Sequence, residues 1–211
     1  MASPRLFFIR HGETDWNAQG RLQGQRDIPL NAKGRLQADA CGLILKGLVA
    51  KAGLDPASLD FVCSPLGRAR ETMERVRAGL GLPVDDYVCD PRLAEIAFGD
   101  WEGMTLPELR ERDPALMAAR ERDKWRFIVP NGESYACVAR RIEPLVAGLR
   151  DDTVVVAHGG VARALFVLAG LMSPDKATRG EIVQGVVYAL RAGVLARHEP
   201  AVTALETAPP A

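Results

Sequence analysis

The sequence of 211 residues predicts an α/β protein with a mainly parallel sheet covered by helices on both faces. Three observations carry this. Short apolar, β-branched runs alternate with longer helical stretches. The connections between them are long, as crossovers between parallel strands require. Two of the runs also end on the same junction, a strand followed by His-Gly. The first is Leu6-Phe7-Phe8-Ile9, ending at Arg10-His11-Gly12. The second is Thr153-Val154-Val155-Val156-Ala157, ending at His158-Gly159-Gly160. Ligands of open α/β sheets bind at the carboxyl ends of the strands, so the two junctions are expected to face one pocket. Gly12 lets the backbone turn closely there.

After the first junction come Asp15, Trp16 and Asn17, and then a polar loop through Gly20, Gly24 and Pro29. Asn31 is a fitting N-cap for a helix whose apolar face would be Leu36, Ala40, Leu43 and Ile44. Asp60 to Cys63 is a short strand. Ser64 as N-cap and Pro65 at the first helical position then start a helix, with Arg68 in its first turn, where anions are favoured. Arg70 reads as an ordinary solvated charge. Tyr87-Val88-Cys89 is a third strand. In the loop from Leu93 to Gly103, Glu95 has Leu93, Ile96 and Phe98 for neighbours, surroundings that favour a protonated acid; Asp100 and Glu102 read as more solvated.

Residues 105–150 are helical and charge-rich, broken at Asp113-Pro114 and Pro130-Asn131-Gly132, and read as an inserted lobe. Its run Arg120, Arg122, Lys124 and Arg126 is expected to be a wet helical face. A helix from Val161 to about Leu171 follows the second junction. Ile182 to Leu190 and Val194 to Arg197 form a terminal hairpin around Ala192-Gly193, and Glu206 to Ala211 is an Ala/Pro-rich tail expected to fray. Residues 1–205 are read as a single domain.

Composition narrows the function. Lys plus Arg and Asp plus Glu both number 27, so no global field recruits nucleic acid or an anionic membrane; any anion site is local. No apolar run is long enough to span a bilayer, and no secretory signal precedes the first strand. The four cysteines, Cys41, Cys63, Cys89 and Cys137, are scattered without a Cys-x-x-Cys pair, as in a reduced cytoplasmic protein. Neither cysteine nor histidine shows metal-site spacing, and no cofactor is expected. The G-x-G-x-x-G, G-x-x-x-x-G-K-[ST] and G-x-S-x-G signatures are all missing.

Three strand ends and one helix start can therefore bring Arg10, His11, Arg68, His158 and Glu95 to one crevice. Two guanidinium forks with imidazoles suit a tetrahedral dianion and would repel a metal. A neutral His11 is a nucleophile for a phosphoryl group. Arg10, Arg68 and His158 would stabilise the equatorial oxygens. Glu95 would supply a proton to the leaving alkoxide and later activate water.

Arg10-His11-Gly12-Glu13-Thr14 with Trp16-Asn17, the segment Ser64-Pro65-Leu66-Gly67-Arg68-Ala69-Arg70-Glu71-Thr72, Glu95 before Phe98-Gly99-Asp100-Trp101-Glu102-Gly103, and Ala157-His158-Gly159-Gly160 resemble the histidine phosphatase superfamily, the clan of cofactor-dependent phosphoglycerate mutases. The resemblance covers nearly the whole chain. It implies a three-layer α/β/α sandwich with a helical insertion over the active site. It also implies His11 as the phosphorylated nucleophile, Glu95 as proton donor, and a phosphate pocket of Arg10, Asn17, Gln23, Arg68, His158 and the backbone of Gly159.

Departures from the mutases are informative. Where they carry a lysine this chain has Leu106, where they carry a tyrosine it has Phe98, and where they carry an asparagine it has Gly160. Of their paired insertion arginines the nearest match is Arg126. The segment from Phe98 to Gly103 resembles the phosphatase branch, which includes the α-ribazole and broad-specificity phosphatases. The expectation is a metal-independent phosphomonoester hydrolase acting on a small phosphorylated metabolite. A bisphosphoglycerate-dependent phosphoglycerate mutase is the alternative, and a non-catalytic phospho-ligand-binding protein a lesser one. Phe98, Trp101, Trp125 and Phe127 would either line a specificity pocket or pack the lobe onto the sheet. No long exposed apolar stripe marks an oligomer face, and the oligomeric state stays open.

Overall fold

The computed structural model describes residues 3–200; the expected tail from Glu206 to Ala211 lies outside them. A six-stranded mixed sheet is flanked by helices on both faces. Its strands are β1 (Leu6–Arg10), β2 (Asp60–Cys63), β3 (Val88–Cys89), β4 (Thr153–Ala157), β5 (Val187–Arg191) and β6 (Val194–His198), in the order β3-β2-β4-β1-β5-β6. The first four pair in parallel, β5 runs antiparallel to β1, and β6 antiparallel to β5. The hairpin turns at Ala192 and Gly193, both at positive φ (48° and 76°), as a tight right-twisted hairpin requires. It is shorter than the sequence suggests: β5 starts at Val187, and Ile182 to Val186 run as a loop into the site.

The period of two along each strand divides the core. Phe7, Ile9, Phe61, Val154 and Val156 pack under α2 (Ala32–Lys51) and α3 (Gly67–Leu80). Phe8, Val155, Ala157 and Tyr188 pack under α6 (Tyr135–Gly148) and α7 (Gly159–Leu168). β1 is thus followed by a helix on one face and its neighbour β4 by a helix on the other. This is the strand arrangement that opens a crevice at the carboxyl end of a sheet. Arg10 stands opposite Ala157 in register, and both His-Gly junctions open into the crevice.

Asn31 caps α2 as expected, its Oδ1 accepting from Gly34 N. The buried face of α2 agrees with the expected one only in part: Ala40 is buried and Ile44 packs against the core, but Gly34, Ala38, Cys41, Gly42, Leu45 and Val49 make up the rest of it, while Leu36 and Leu43 are 51% and 62% exposed. Small residues win that face because α3 crosses close to it; a Cβ on Gly42 would lie 3.3 Å from Gly79 Cα. The start of α3 is also corrected. Ser64 continues β2, its N–H donating to Val156 O at 3.0 Å as in a strand ladder, and the helix begins at Gly67, whose N–H donates to the Asp27 carboxylate (2.9 Å).

The helical stretch from 105 to 150 divides. α4 (Leu106–Arg112) and α5 (Pro114–Arg122) close over a small cluster of Trp101, Leu109, Met117 and Val129. α6 instead belongs to the sandwich, with Val138, Ile142 and Leu145 in the main core. The expected wet face holds for Arg122 and Arg126, which are exposed. Arg120 and Lys124 are mostly covered and share Glu121. Glu102 is also less solvated than expected, accepting from Gln25 N and pairing with Arg26. No helix among the described residues is long and apolar enough to cross a membrane.

Candidate active site

The junction after β1 is built by close backbone contact. A Cβ on Gly12 would lie 2.1 Å from Gly34 O, and one on Gly34 would lie 2.1 Å from Glu13 O. Glycine is needed on both sides for the first turn of α2 to reach this loop. The N–H of Gly12 donates to Thr72 Oγ1 (3.1 Å), which in turn donates to Arg68 O. The His11 loop and the start of α3 are thereby held as one piece.

His11 is buried, and its Nδ1 lies 2.7 Å from Gly12 O. A carbonyl only accepts, so Nδ1 carries the proton and Nε2 the lone pair. That lone pair accepts from Arg68 Nε at 3.2 Å. Burial, then the charges of Arg68 and Arg10, hold the His11 pKa well below the ordinary imidazole value. The ring is therefore a neutral base with its nucleophilic nitrogen aimed at a guanidinium.

Arg68 is fully buried, and its remaining nitrogens donate to Arg26 O (2.7 Å) and Gly24 O (2.8 Å). Arg10 donates to Ile182 O (2.7 Å), while its Nε is buried without a partner among the described residues. Burial lowers the pKa of both guanidiniums, and Glu95 is the foremost charge opposing that shift at each. Two desolvated cations and one carboxylate leave the crevice in deficit of negative charge, which is the electrostatic condition for binding an anion.

The His158 ring lies 5.0 Å from that of His11, centre to centre. It is fully buried at the head of α7, and burial, then Arg68, keeps its pKa well below the ordinary value. Its Nε2 shares a 2.6 Å hydrogen bond with Ser64 Oγ, and its Nδ1 is buried without a partner among the described residues. Gly159 follows; a Cβ there would lie 3.1 Å from Arg163 Nη1 and 3.7 Å from Arg10 Nε.

Glu95 is half-buried. Its Oε1 accepts from Ile96 N (2.9 Å) and Gly160 N (2.9 Å), with Oε2 3.2 Å from the same Gly160 N. Its loop is clasped from α6. Arg141 donates to Arg92 O, Ala94 O (2.8 Å) and Glu95 O (3.2 Å). Arg141 also pairs with Glu133, whose other oxygen accepts from Ala97 N.

Arg10, His11, Arg68, Glu95, His158 and Gly159 thus converge. Asn17 stands beside them on the one-turn helix α1 (Asp15–Ala18); its Oδ1 accepts from Thr14 N (3.2 Å) and Gln184 Nε2 (3.1 Å). Gln23 is buried close by, but its amide donates to Thr14 Oγ1, so its donor supports the loop. Sequence reasoning missed Gln184, which also donates to His11 O (3.1 Å), and it missed Ser64, Thr72 and Arg141 as site residues. Only Ser64 carried a signal, as a polar residue directly after an apolar strand. Trp101 is fully buried and stacked on Phe127, and Trp125 is stacked on Tyr135, so packing accounts for these rings. Arg126 is 79% exposed and paired with Asp123.

The chain is similar to proteins that are already known. The chain is 39% identical to the glucosyl-3-phosphoglycerate phosphatase of Mycolicibacterium vanbaalenii over 173 residues, covering 76% of this chain and 72% of that one. It is 34% identical to bovine 6-phosphofructo-2-kinase/fructose-2,6-bisphosphatase 1 over 78% of its own length, but spans only 32% of that protein. The solved α-ribazole phosphatase of Shigella flexneri superposes with a TM-score of 0.73 at 29% identity, over 93% of this chain and 95% of that one. Residues 6–198, from the start of β1 to the end of β6, match the histidine phosphatase superfamily (branch 1). With both strand–His–Gly junctions meeting over Arg10 and the buried Arg68, the chain belongs to that superfamily, in its phosphatase branch.

Proposed function

We propose that the protein is a phosphomonoester hydrolase that works through a phosphohistidine and needs no metal. The observation that carries this is the protonation pattern of His11. With Nδ1–H on Gly12 O, the buried neutral ring presents the Nε2 lone pair among guanidiniums. In the first step Nε2 attacks phosphorus, the N–P bond forms and the P–O bond to the alcohol breaks. Glu95 as the acid gives its proton to the departing oxygen. Its Oε1 is engaged by two N–H donors, so Oε2 is the oxygen that carries the proton. Arg10, Arg68 and His158 take the charge on the equatorial oxygens. In the second step the Glu95 carboxylate removes a proton from water. The water oxygen attacks phosphorus, the N–P bond breaks and inorganic phosphate leaves.

Hydrolysis is favoured over mutase chemistry by what occupies the divergent positions. Leu106 and Phe98 are spent on packing the lobe cluster, and Arg126 is turned to solvent with Asp123. The set that would hold a small carboxylated phosphoester while keeping water out is therefore incomplete. Two relatives are named for carbohydrate phosphates, so the substrate class proposed is a small phosphorylated sugar or related metabolite.

The test is phosphate release from a panel of phosphomonoesters, sugar phosphates and 3-phosphoglycerate included, in the presence of a chelator. Wild type should release phosphate and form acid-labile phosphoprotein, and His11→Ala should do neither. Turnover by His11→Ala would refute the covalent route. Bisphosphoglycerate-dependent conversion of 3-phosphoglycerate to 2-phosphoglycerate without release would establish the mutase.

A further inference from the structure

We propose that Ser64 is a positioning residue that sets the tautomer of His158 and so makes its Nδ1–H the donor to the transferring phosphoryl group. The inference deepens the reading of a phosphoryl-transfer site and rests on it.

Ser64 sits at the end of β2, fully buried, and its Oγ has two neighbours among the described residues. Leu66 N lies at 3.3 Å and donates to it; His158 Nε2 lies at 2.6 Å. The hydroxyl proton has no acceptor among the described residues other than His158 Nε2. Were Nε2 protonated instead, it would donate to Oγ and leave the serine proton orphaned in a buried site, an expensive arrangement. The satisfied state has Ser64 O–H donating to the Nε2 lone pair. In a neutral imidazole the proton is then on Nδ1.

Nδ1–H is itself buried and has no acceptor among the described residues. It belongs to a ring 5.0 Å from His11 and under the field of Arg68 and Arg10. An oxygen of a phosphoryl group on His11 Nε2 is the acceptor this donor lacks. The other tautomer would turn a lone pair toward that oxygen and repel it. The serine therefore does for His158 what the Gly12 carbonyl does for His11. Both rings are fixed as Nδ1–H, so that one offers a lone pair to phosphorus and the other a proton to its oxygen.

The experiment uses the full chain labelled with 15N-histidine, in which two-bond 1H–15N correlations report the tautomer of each imidazole. His158 should read as Nδ1–H in the wild type and lose that form in Ser64→Ala, while His11 keeps its own. In Ser64→Ala, kcat should fall roughly 10²-fold, the scale for losing one donor to a developing oxyanion. Binding of inorganic phosphate should weaken about tenfold. Ser64→Thr, which keeps the hydroxyl, should restore all three; should Ser64→Ala not fold, Ser64→Cys, a weak donor of similar shape, replaces it. An Nε2–H His158 in the wild type, or a variant with unchanged tautomer and unchanged phosphate affinity, overturns the proposal. Absence of turnover in the wild type would sink the phosphatase reading alone, since tautomer and phosphate binding are measured without it.

Discussion

Gly160→Ala should disable the acid without unfolding the protein. A Cβ at this position would lie 2.3 Å from Glu95 Oε1 and 2.8 Å from Ile96 Cγ2. Ile96 is buried and cannot move aside, so the carboxylate must retreat by about 1 Å to reach ordinary van der Waals distance. It then loses the Gly160 N–H, a charge-assisted hydrogen bond of about 1.5–3 kcal/mol. A misplacement of about 1 Å at a reacting group costs on the order of 10²-fold in rate. Alanine is the better helix former by up to ~1 kcal/mol, which offsets only part of the lost hydrogen bond and of the contact with Ile96, so Tm should fall by several degrees while the protein stays folded. The assay is burst kinetics with two esters of one enzyme preparation. An alkyl phosphate, whose leaving group needs a proton, should be turned over about 10²-fold more slowly. p-Nitrophenyl phosphate, whose leaving group departs without one, should still give a burst of one nitrophenol per enzyme. The phosphohistidine would then persist, because the same carboxylate is needed to activate water. Equal loss on both esters in the burst phase, or full activity on both, would refute the placement of Glu95 as acid and base.

Arg141→Lys should release the Glu95 loop, because an ammonium cannot reach Arg92, Ala94 and Glu95 carbonyls and Glu133 at once. The expected result is about a tenfold drop in kcat with KM nearly unchanged; a rise in KM with kcat intact would instead assign Arg141 to substrate binding. Stability should also depend on pH through the two buried histidines. Their folded pKa values are depressed, so the unfolded chain binds more protons below its own value of about 6.5. Stability from this source is complete above about pH 6.5 and is lost as pH falls below it, by up to ~1.4 kcal/mol per pH unit per histidine. Denaturant titrations from pH 7 to 5 should show a shallower decline for His158→Gln than for wild type. Parallel declines would show that His158 is not held neutral by the fold.

The sequence was sufficient for the parts of this protein that are local in the chain. Both strand–His–Gly junctions, the Asn31 cap, the hairpin at Ala192-Gly193 and the breaks at Asp113-Pro114 and Pro130-Asn131-Gly132 are set by side chains acting on their own backbone. A strand period or a cap needs only a few adjacent residues to be read. The residue types at the junctions likewise sufficed to bring Arg10, His11, Arg68, Glu95 and His158 into one reading, since few chemistries need two arginines and two imidazoles together.

What tertiary structure decided was how those residues are held and protonated. α2 turned Gly34, Ala38 and Gly42 inward and left Leu36 and Leu43 outside, because the closeness of α3 outweighs the burial of those two leucines. Ser64 left its expected cap to meet His158, 94 positions away. Glu95 found its N–H donor on Gly160, 65 positions away, and Arg141 reached back to the Glu95 loop from another helix. These contacts exist because β2, β4 and β1 lie side by side and end together, an order that no local periodicity encodes. Hydrogen-bond partners fix which nitrogen carries a proton, and partners are set by the packing of the sheet.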